Sequence, residues 1–255
     1  MNSNHTLPPP KPITDVWRPE LVRLPKFTWA RRAFRLFIRW VAKLLTRLLL
    51  RVEVQEMENF PRSGPVLVVT NHLGDADAVV LISSLPYTDA VGLGKIELYD
   101  LPIIGKVLDL YGIIWLHRGQ PDKRAIRAAL NGLAEGRLIV IAPEGRYSLT
   151  GALEEGTDGA AFLAYKANVP ILPIALTGTE NANVYGHLRQ GRRARVTLKV
   201  GKMFRLSEKV KGPQRMREGT HQIMLGLASL LPEKYRGVYI SDFRSSQPEI
   251  NNSET

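Results

Sequence analysis

Asn71 and His72, then Asp75 and Asp77, follow an apolar run from Pro65 to Thr70. A basic ring nitrogen with a carboxylate at hand to orient it is the minimum equipment of a general base. The competing reading is a surface histidine beside a helix-capping aspartate, and spacing alone does not choose between Asp75 and Asp77. Two more segments carry polar side chains just past an apolar run, and a third is an apolar run bracketed by prolines. Gly112 leads to Arg118, the run ending at Ala142 leads to Glu144, Gly145 and Arg146, and Val169 and Pro170 open a run that contains Pro173. Each has an ordinary explanation when taken singly. An arginine at a strand end pairs with an acid, and a glutamate before a glycine shapes a turn.

Positioning these groups calls for an α/β framework. Short apolar runs predict strands over 66–71, 90–94, 112–116, 138–142, 171–177 and 196–200. Helical periodicity predicts helices over 76–85, 122–135, 158–167 and 216–231. This alternation predicts a mixed, mostly parallel sheet flanked by helices, whose strand ends are where ligands meet catalytic groups. Pro170 and Pro173 predict an edge or bulged strand for 171–177. Over 195–200 basic residues alternate with apolar ones, which predicts one buried face and one open basic face. That face suits either an acidic partner or plain solvent.

The chain has 255 residues, 44% of them hydrophobic, enough for one large domain or two small ones. Without cysteine it has no disulfide, thiolate metal site or cysteine nucleophile. Its formal charge of +11 is concentrated in two acid-free stretches, over 21–52 and 188–207, and the remainder is net acidic. Over 27–51 neither Gly nor Pro interrupts a predicted long helix, in which Arg31, Arg35, Arg39, Lys43, Arg47 and Arg51 recur every four residues. Phe34, Phe37, Val41, Leu44, Leu45 and Leu48 take the other half of the cylinder.

As a bilayer span, its central charges would cost up to about 3 kcal/mol each, more than its apolar residues recover at about 0.5 each. The better reading is an amphipathic, membrane-associated helix, apolar face in the acyl chains and basic face among anionic headgroups. A helix packed on its own domain with a solvated basic face is the alternative. Nucleic acid is not an expected partner, since no binding motif accompanies the charge. The expected organisation is a disordered arm over 1–26, the membrane-surface helix over 27–51, a folded domain over 52–240 and a disordered tail over 241–255.

Together, in this order and spacing, the four segments resemble the glycerolipid acyltransferase family whose best-known member acylates lysophosphatidic acid. The family's blocks are Asn-His-x4-Asp, Gly-x5-Arg, Pro-Glu-Gly-Thr-Arg-Ser and Val-Pro-x-x-Pro. Here they read Asn71-His72 with Asp77, Gly112 with Arg118, Pro143-Glu144-Gly145 with Ser148, and Val169-Pro170 with Pro173. Lys95-Ile96-Glu97-Leu98 resembles the stretch between the first two. The third block departs from the pattern, with Arg146 at the Thr position and Tyr147 at the Arg position.

The resemblance implies an O-acyltransferase of phospholipid biosynthesis on the cytoplasmic face of the cell membrane, peripheral or monotopic. It would move a fatty acyl group from a thioester, on coenzyme A or acyl carrier protein, to the hydroxyl of a lysophospholipid, first of all 1-acylglycerol-3-phosphate. His72 would be the base and Asp77 its orienting acid, which leaves Asp75 as a helix N-cap. Arg118 would hold an anionic acceptor group, Glu144 with the Gly145 backbone would position the acceptor glycerol, and Arg146 would reach the acceptor phosphate from a shifted angle. No cofactor and no metal is expected, the acyl-CoA or acyl carrier protein being a co-substrate. Another lysolipid or glycolipid acceptor, a catalytically silent lipid-binding protein and a metal-dependent lipid hydrolase are the competing readings.

Overall fold

The computed structural model describes residues 10–86, 89–119, 121–208, 211–212 and 214–245. Its strands are β1 (Leu50–Gln55), β2 (Val66–Thr70), β3 (Val91–Lys95), β4 (Ile114–Leu116), β5 (Leu138–Ile141), β6 (Ile171–Thr177) and β7 (Ala194–Val200). Its helices are α1 (Trp29–Leu49), α2 (Ala76–Ser84), α3 (Ile104–Tyr111), α4 (Lys123–Ala134), α5 (Gly159–Ala167), α6 (Asn181–Arg189), α7 (Gln214–Leu230) and α8 (Ile240–Ser245). The strands form one sheet in the order β1-β7-β6-β2-β5-β3-β4. β2 to β6 all run parallel, while β1 and β7 run the other way and join through the antiparallel β6–β7 pair. One edge of the sheet therefore collects the carboxyl ends of five strands and the amino ends of β1 and β7.

Every residue of β2 is buried because helices cover both faces of the sheet. Leu67 and Val69 point into a layer shared with Ala129 of α4, Ala160 of α5 and Met224 of α7. Val66 and Val68 point into the opposite layer, with Val80 of α2 and Val184 of α6. In β7 the predicted alternation holds: Ala194, Val196, Leu198 and Val200 are buried while Arg195 is exposed.

Several expectations need correction. β6 is not an edge strand but lies between β7 and β2. The Pro173 carbonyl accepts from Gly201 N–H (2.9 Å), so its nitrogen also faces the segment just past β7, where no ladder bond is owed. The predicted helix over 27–51 ends at Leu49, and Leu50 begins β1 in an extended conformation. Residues 10–26, expected as part of a disordered arm, are tied across the carboxyl edge. Lys11 Nζ donates to the Glu155 carbonyl, Thr14 N–H to the Arg118 carbonyl, and Val22 is buried. The tail expectation fails at its start, where α8 continues to Ser245; residues 1–9 and 246–255 lie outside the described residues.

The largest correction concerns α1, which packs on α2 and α3. Its basic stripe turns inward over the first half of the helix. Arg35 is only 2% exposed, donates to the Tyr111 and Ala90 carbonyls, and stacks on the Phe27 and Tyr111 rings. Arg31 donates to the Asp109 carbonyl and Arg39 to that of Ile82. Ala42 and Thr46 continue this buried seam. Trp29, Leu36, Phe37, Trp40, Leu44, Leu45 and Leu48 are exposed instead. Guanidiniums can be buried here because the last carbonyls of α2 and α3 lack helical partners and accept them.

Candidate active site

β2 ends at the middle of the sheet, and Asn71 anchors the turn that follows. Its amide donates to the Leu176 carbonyl and its carbonyl oxygen accepts from Leu176 N–H, both at 2.8 Å, extending the β2–β6 pairing through a side chain. His72 follows, its side chain 32% exposed, with Nδ1 2.7 Å from Oδ2 of Asp77. Asp77, buried in the first turn of α2, also accepts the N–H groups of Leu73 (2.7 Å) and Gly74 (3.1 Å) on that same oxygen. An acceptor so engaged makes Nδ1 the donor and leaves Nε2 as the basic nitrogen of His72. Gly74 is required for this turn, since a Cβ there would lie 2.5 Å from both the Thr179 carbonyl and Asn181 Oδ1.

Asp75 stands at the N-cap position of α2 but makes no side-chain cap bond, which corrects the capping expectation. Its carboxylate accepts from the hydroxyls of Tyr147 (2.9 Å) and Tyr185 (3.1 Å) and from Asn181 Nδ2 (3.1 Å). The Tyr147 ring lies against the His72 ring, centroids 4.1 Å apart. Burial, with Asp75 adding to it, pushes the Tyr147 hydroxyl well above the ordinary tyrosine range. Tyr147, one of the two departures from the family pattern, thus braces the His72 ring.

Glu144 lies just past β5 and is fully buried. Oε1 accepts from His72 N–H (3.1 Å) and Oε2 from Glu154 N–H (2.8 Å). Burial raises its pKa to about 7 against the pull of those two N–H groups. One oxygen thus holds the backbone that carries His72 and the other the backbone at Glu154. Gly145 adopts φ +72°, and its N–H donates to the Ala142 carbonyl. Arg146 is committed to a buried ion pair, Nε to Glu154 at 2.7 Å, and its Nη1 donates to the Pro10 carbonyl.

Arg118 follows β4 at the far end of the same edge. Its Nη2 is 3.6 Å from Glu97, and its N–H donates to Thr14 Oγ1. Three strand spacings separate β4 from β2, about 15 Å. The structure thus places His72, Asp77, Glu144 and Tyr147 in one cluster and holds Arg118 along the same edge. Glu154 went unread in the sequence, as did the contacts of Tyr147 with His72 and Asp75. An acid eight residues past Arg146 was the only trace of the ion pair, and the two side chains meet only once the loop after β5 folds back.

A buried acid 2.7 Å from a partly exposed histidine, at the carboxyl end of the central strand of an α/β sheet, is the arrangement that a general base requires. Residues 51–177 match the family model described as Acyltransferase, and the chain carries a domain of that family. The chain is 31% identical over 142 residues to a 1-acyl-sn-glycerol-3-phosphate acyltransferase of Borreliella burgdorferi, covering 52% of this chain and 53% of the relative. It is 28% identical over 155 residues to a chloroplastic enzyme of the same name from Brassica napus, covering 57% of this chain and 44% of the relative. The chain thus spans about half the length of the curated relatives it matches. The crystal structure of the 1-acyl-sn-glycerophosphate acyltransferase PlsC from Thermotoga maritima shares the fold, with a TM-score of 0.57 and 23% identity, over 78% of this chain and 81% of that one.

Proposed function

We propose that this chain transfers a fatty acyl group from a thioester to the free hydroxyl of 1-acylglycerol-3-phosphate, giving phosphatidic acid. The observation that carries the reading is the His72–Asp77 pair, 2.7 Å apart, with the acid buried and the base partly open. Nε2 takes the hydroxyl proton as the oxygen attacks the thioester carbonyl. Asp77 stabilises the imidazolium that forms. As the tetrahedral intermediate collapses, the C–S bond breaks and the thiolate recovers the proton from Nε2, so ester and free thiol are the products. Arg118 binds the acceptor phosphate, exchanging its long contact with Glu97 for a fork of two hydrogen bonds.

The same proposal places the protein on the cytoplasmic face of a membrane. Among the described residues no helix is long and apolar enough to cross a bilayer. α1 instead offers a row of exposed Trp, Phe and Leu side chains, backed by arginines bonded inward. That face lies in the acyl region of one leaflet, with Lys43 and Arg47 at the headgroups. Related names support the acceptor class, and the donor, coenzyme A or carrier protein, is part of the proposal.

The test is thiol release by purified protein supplied with an acyl thioester and a panel of lysolipids. Release with 1-acylglycerol-3-phosphate, lost in His72→Ala, is the expected result. Turnover by that variant near wild type would overturn the assignment of the base.

A further inference from the structure

Four arginines converge on a hollow that the catalytic centre leaves unused. Arg51 of β1 and Arg195 of β7 are register partners on adjacent strands, and Arg192 and Arg193 come from the turn before β7. With Asn183 and His187 of α6 they line a cavity of about 510 Å³. Among the described residues no carboxylate pairs with any of the four. Arg193 donates to the Arg47 carbonyl at the end of α1, which fixes one wall. Like charges placed opposite each other on neighbouring strands repel, so the arrangement favours the protein with an anion bound.

The location gives that anion a role. β1 and β7 run against the parallel strands, so their amino ends share the edge where β2 delivers His72. α6 links the two places. Asn181 at its start bonds Asp75 beside His72, and His187 opens on the hollow. Six residues of helix separate them, about 9 Å.

We propose that this hollow binds the phosphates of the acyl donor, specifically a 3′-phosphorylated adenosine diphosphate of the kind that coenzyme A thioesters carry. The pantetheine arm then runs along α6 and presents the thioester to His72. Concavity favours this ligand: guanidiniums arriving from two strands and a turn surround a compact polyanion and grip it in bidentate pairs. A flat headgroup layer or the convex side of an acidic helix would meet only the outermost of them. The assignment to a donor rests on the acyl-transfer reading; the anion site does not.

The test uses the full chain, adenosine 3′,5′-bisphosphate as the calorimetric probe, and the double substitution Arg192→Glu with Arg195→Glu. Arg127→Glu, an exposed charge reversal on α4, is the control. Wild type and control bind the probe, and the double variant binds at least about tenfold more weakly. With acyl-CoA its donor KM rises by at least the same factor, while acceptor KM and flotation on anionic vesicles stay unchanged. The thermal midpoint does not fall, since Arg195→Glu sets an opposite charge facing Arg51. Equal probe affinity in all three proteins would overturn the proposal. So would lost flotation with probe affinity intact, which would make the hollow a lipid headgroup site. A KM increase confined to thioesters of an acidic carrier protein would also refute it. If no acceptor releases thiol yet the probe binds through these arginines, the acyl-transfer reading falls and the anion site stands.

Discussion

Two histidines in this chain stand five residues ahead of an aspartate, His72 of Asp77 and His117 of Asp122, and each holds Nδ1 2.7 Å from the carboxylate. The difference lies at the other ring nitrogen. Nε2 of His117 accepts the Arg18 N–H at 3.0 Å beneath the Trp17 ring, in a buried setting. The His72 side chain is 32% exposed, and on the proposed reading its outer nitrogen is the base. His72→Ala is expected to lower kcat by about 10³-fold without unfolding the protein, measured by thiol release and a thermal melt. His117→Ala is expected to lose about 1–3 kcal/mol of stability in chemical denaturation, by orphaning the Arg18 and Asp122 bonds, while keeping its turnover. Glu144 adds a pH signature. Its carboxyl gives up its proton near pH 4.5 when unfolded but only near 7 when folded. Folding therefore holds the extra proton between those values, and stability falls as pH rises through that window, by at most about 3 kcal/mol. Glu144→Gln should flatten this slope in denaturation curves taken from pH 4.5 to 7. It should also lower kcat, because an amide offers only one acceptor to the N–H groups of His72 and Glu154, and the loops that carry them lose a shared anchor.

At the scale of elements, α1 is held by its charges and displays its grease. Arg35→Leu leaves the Tyr111 and Ala90 carbonyls unbonded and removes two cation–π contacts, a loss of about 2–4 kcal/mol that chemical denaturation would register. Arg35→Lys should recover little of it, since an ammonium does not fork between two carbonyls. The sheet itself was legible: six of the seven strands follow from apolar runs bounded by turn residues. β1 was missed because the helix before it is strong, although Leu50, Val52 and Val54 alternate with polar neighbours. α3 and α6 were missed for want of a long periodic face. The direction in which the arginine stripe points was not legible, because a four-residue repeat defines a face and says nothing of what that face meets. His72 with an acid close behind it was readable from the sequence, but spacing left Asp75 and Asp77 open, and the resemblance to the family's first block singled out Asp77. The Arg146–Glu154 pair depends on how the loop after β5 folds back on itself, and the Tyr147–Asp75 bond on that loop meeting the one after β2.

At the scale of the whole molecule, catalytic edge, basic hollow and outward apolar helix belong to one body. Phe37→Glu with Trp40→Glu is expected to abolish flotation on anionic vesicles while leaving the thermal midpoint unchanged, because both side chains are exposed. Wild-type flotation should survive high salt, since the exposed face is chiefly apolar. The outward face of α1 also bears on how the acceptor is found. On the membrane placement proposed above, the enzyme searches for its acceptor laterally, in two dimensions, and never draws it out of water. Velocity should then follow the mole fraction of lysolipid in the bilayer rather than its amount per millilitre. Adding inert phospholipid at constant bulk acceptor should slow the reaction by surface dilution, and the Phe37→Glu, Trp40→Glu protein should lose that dependence.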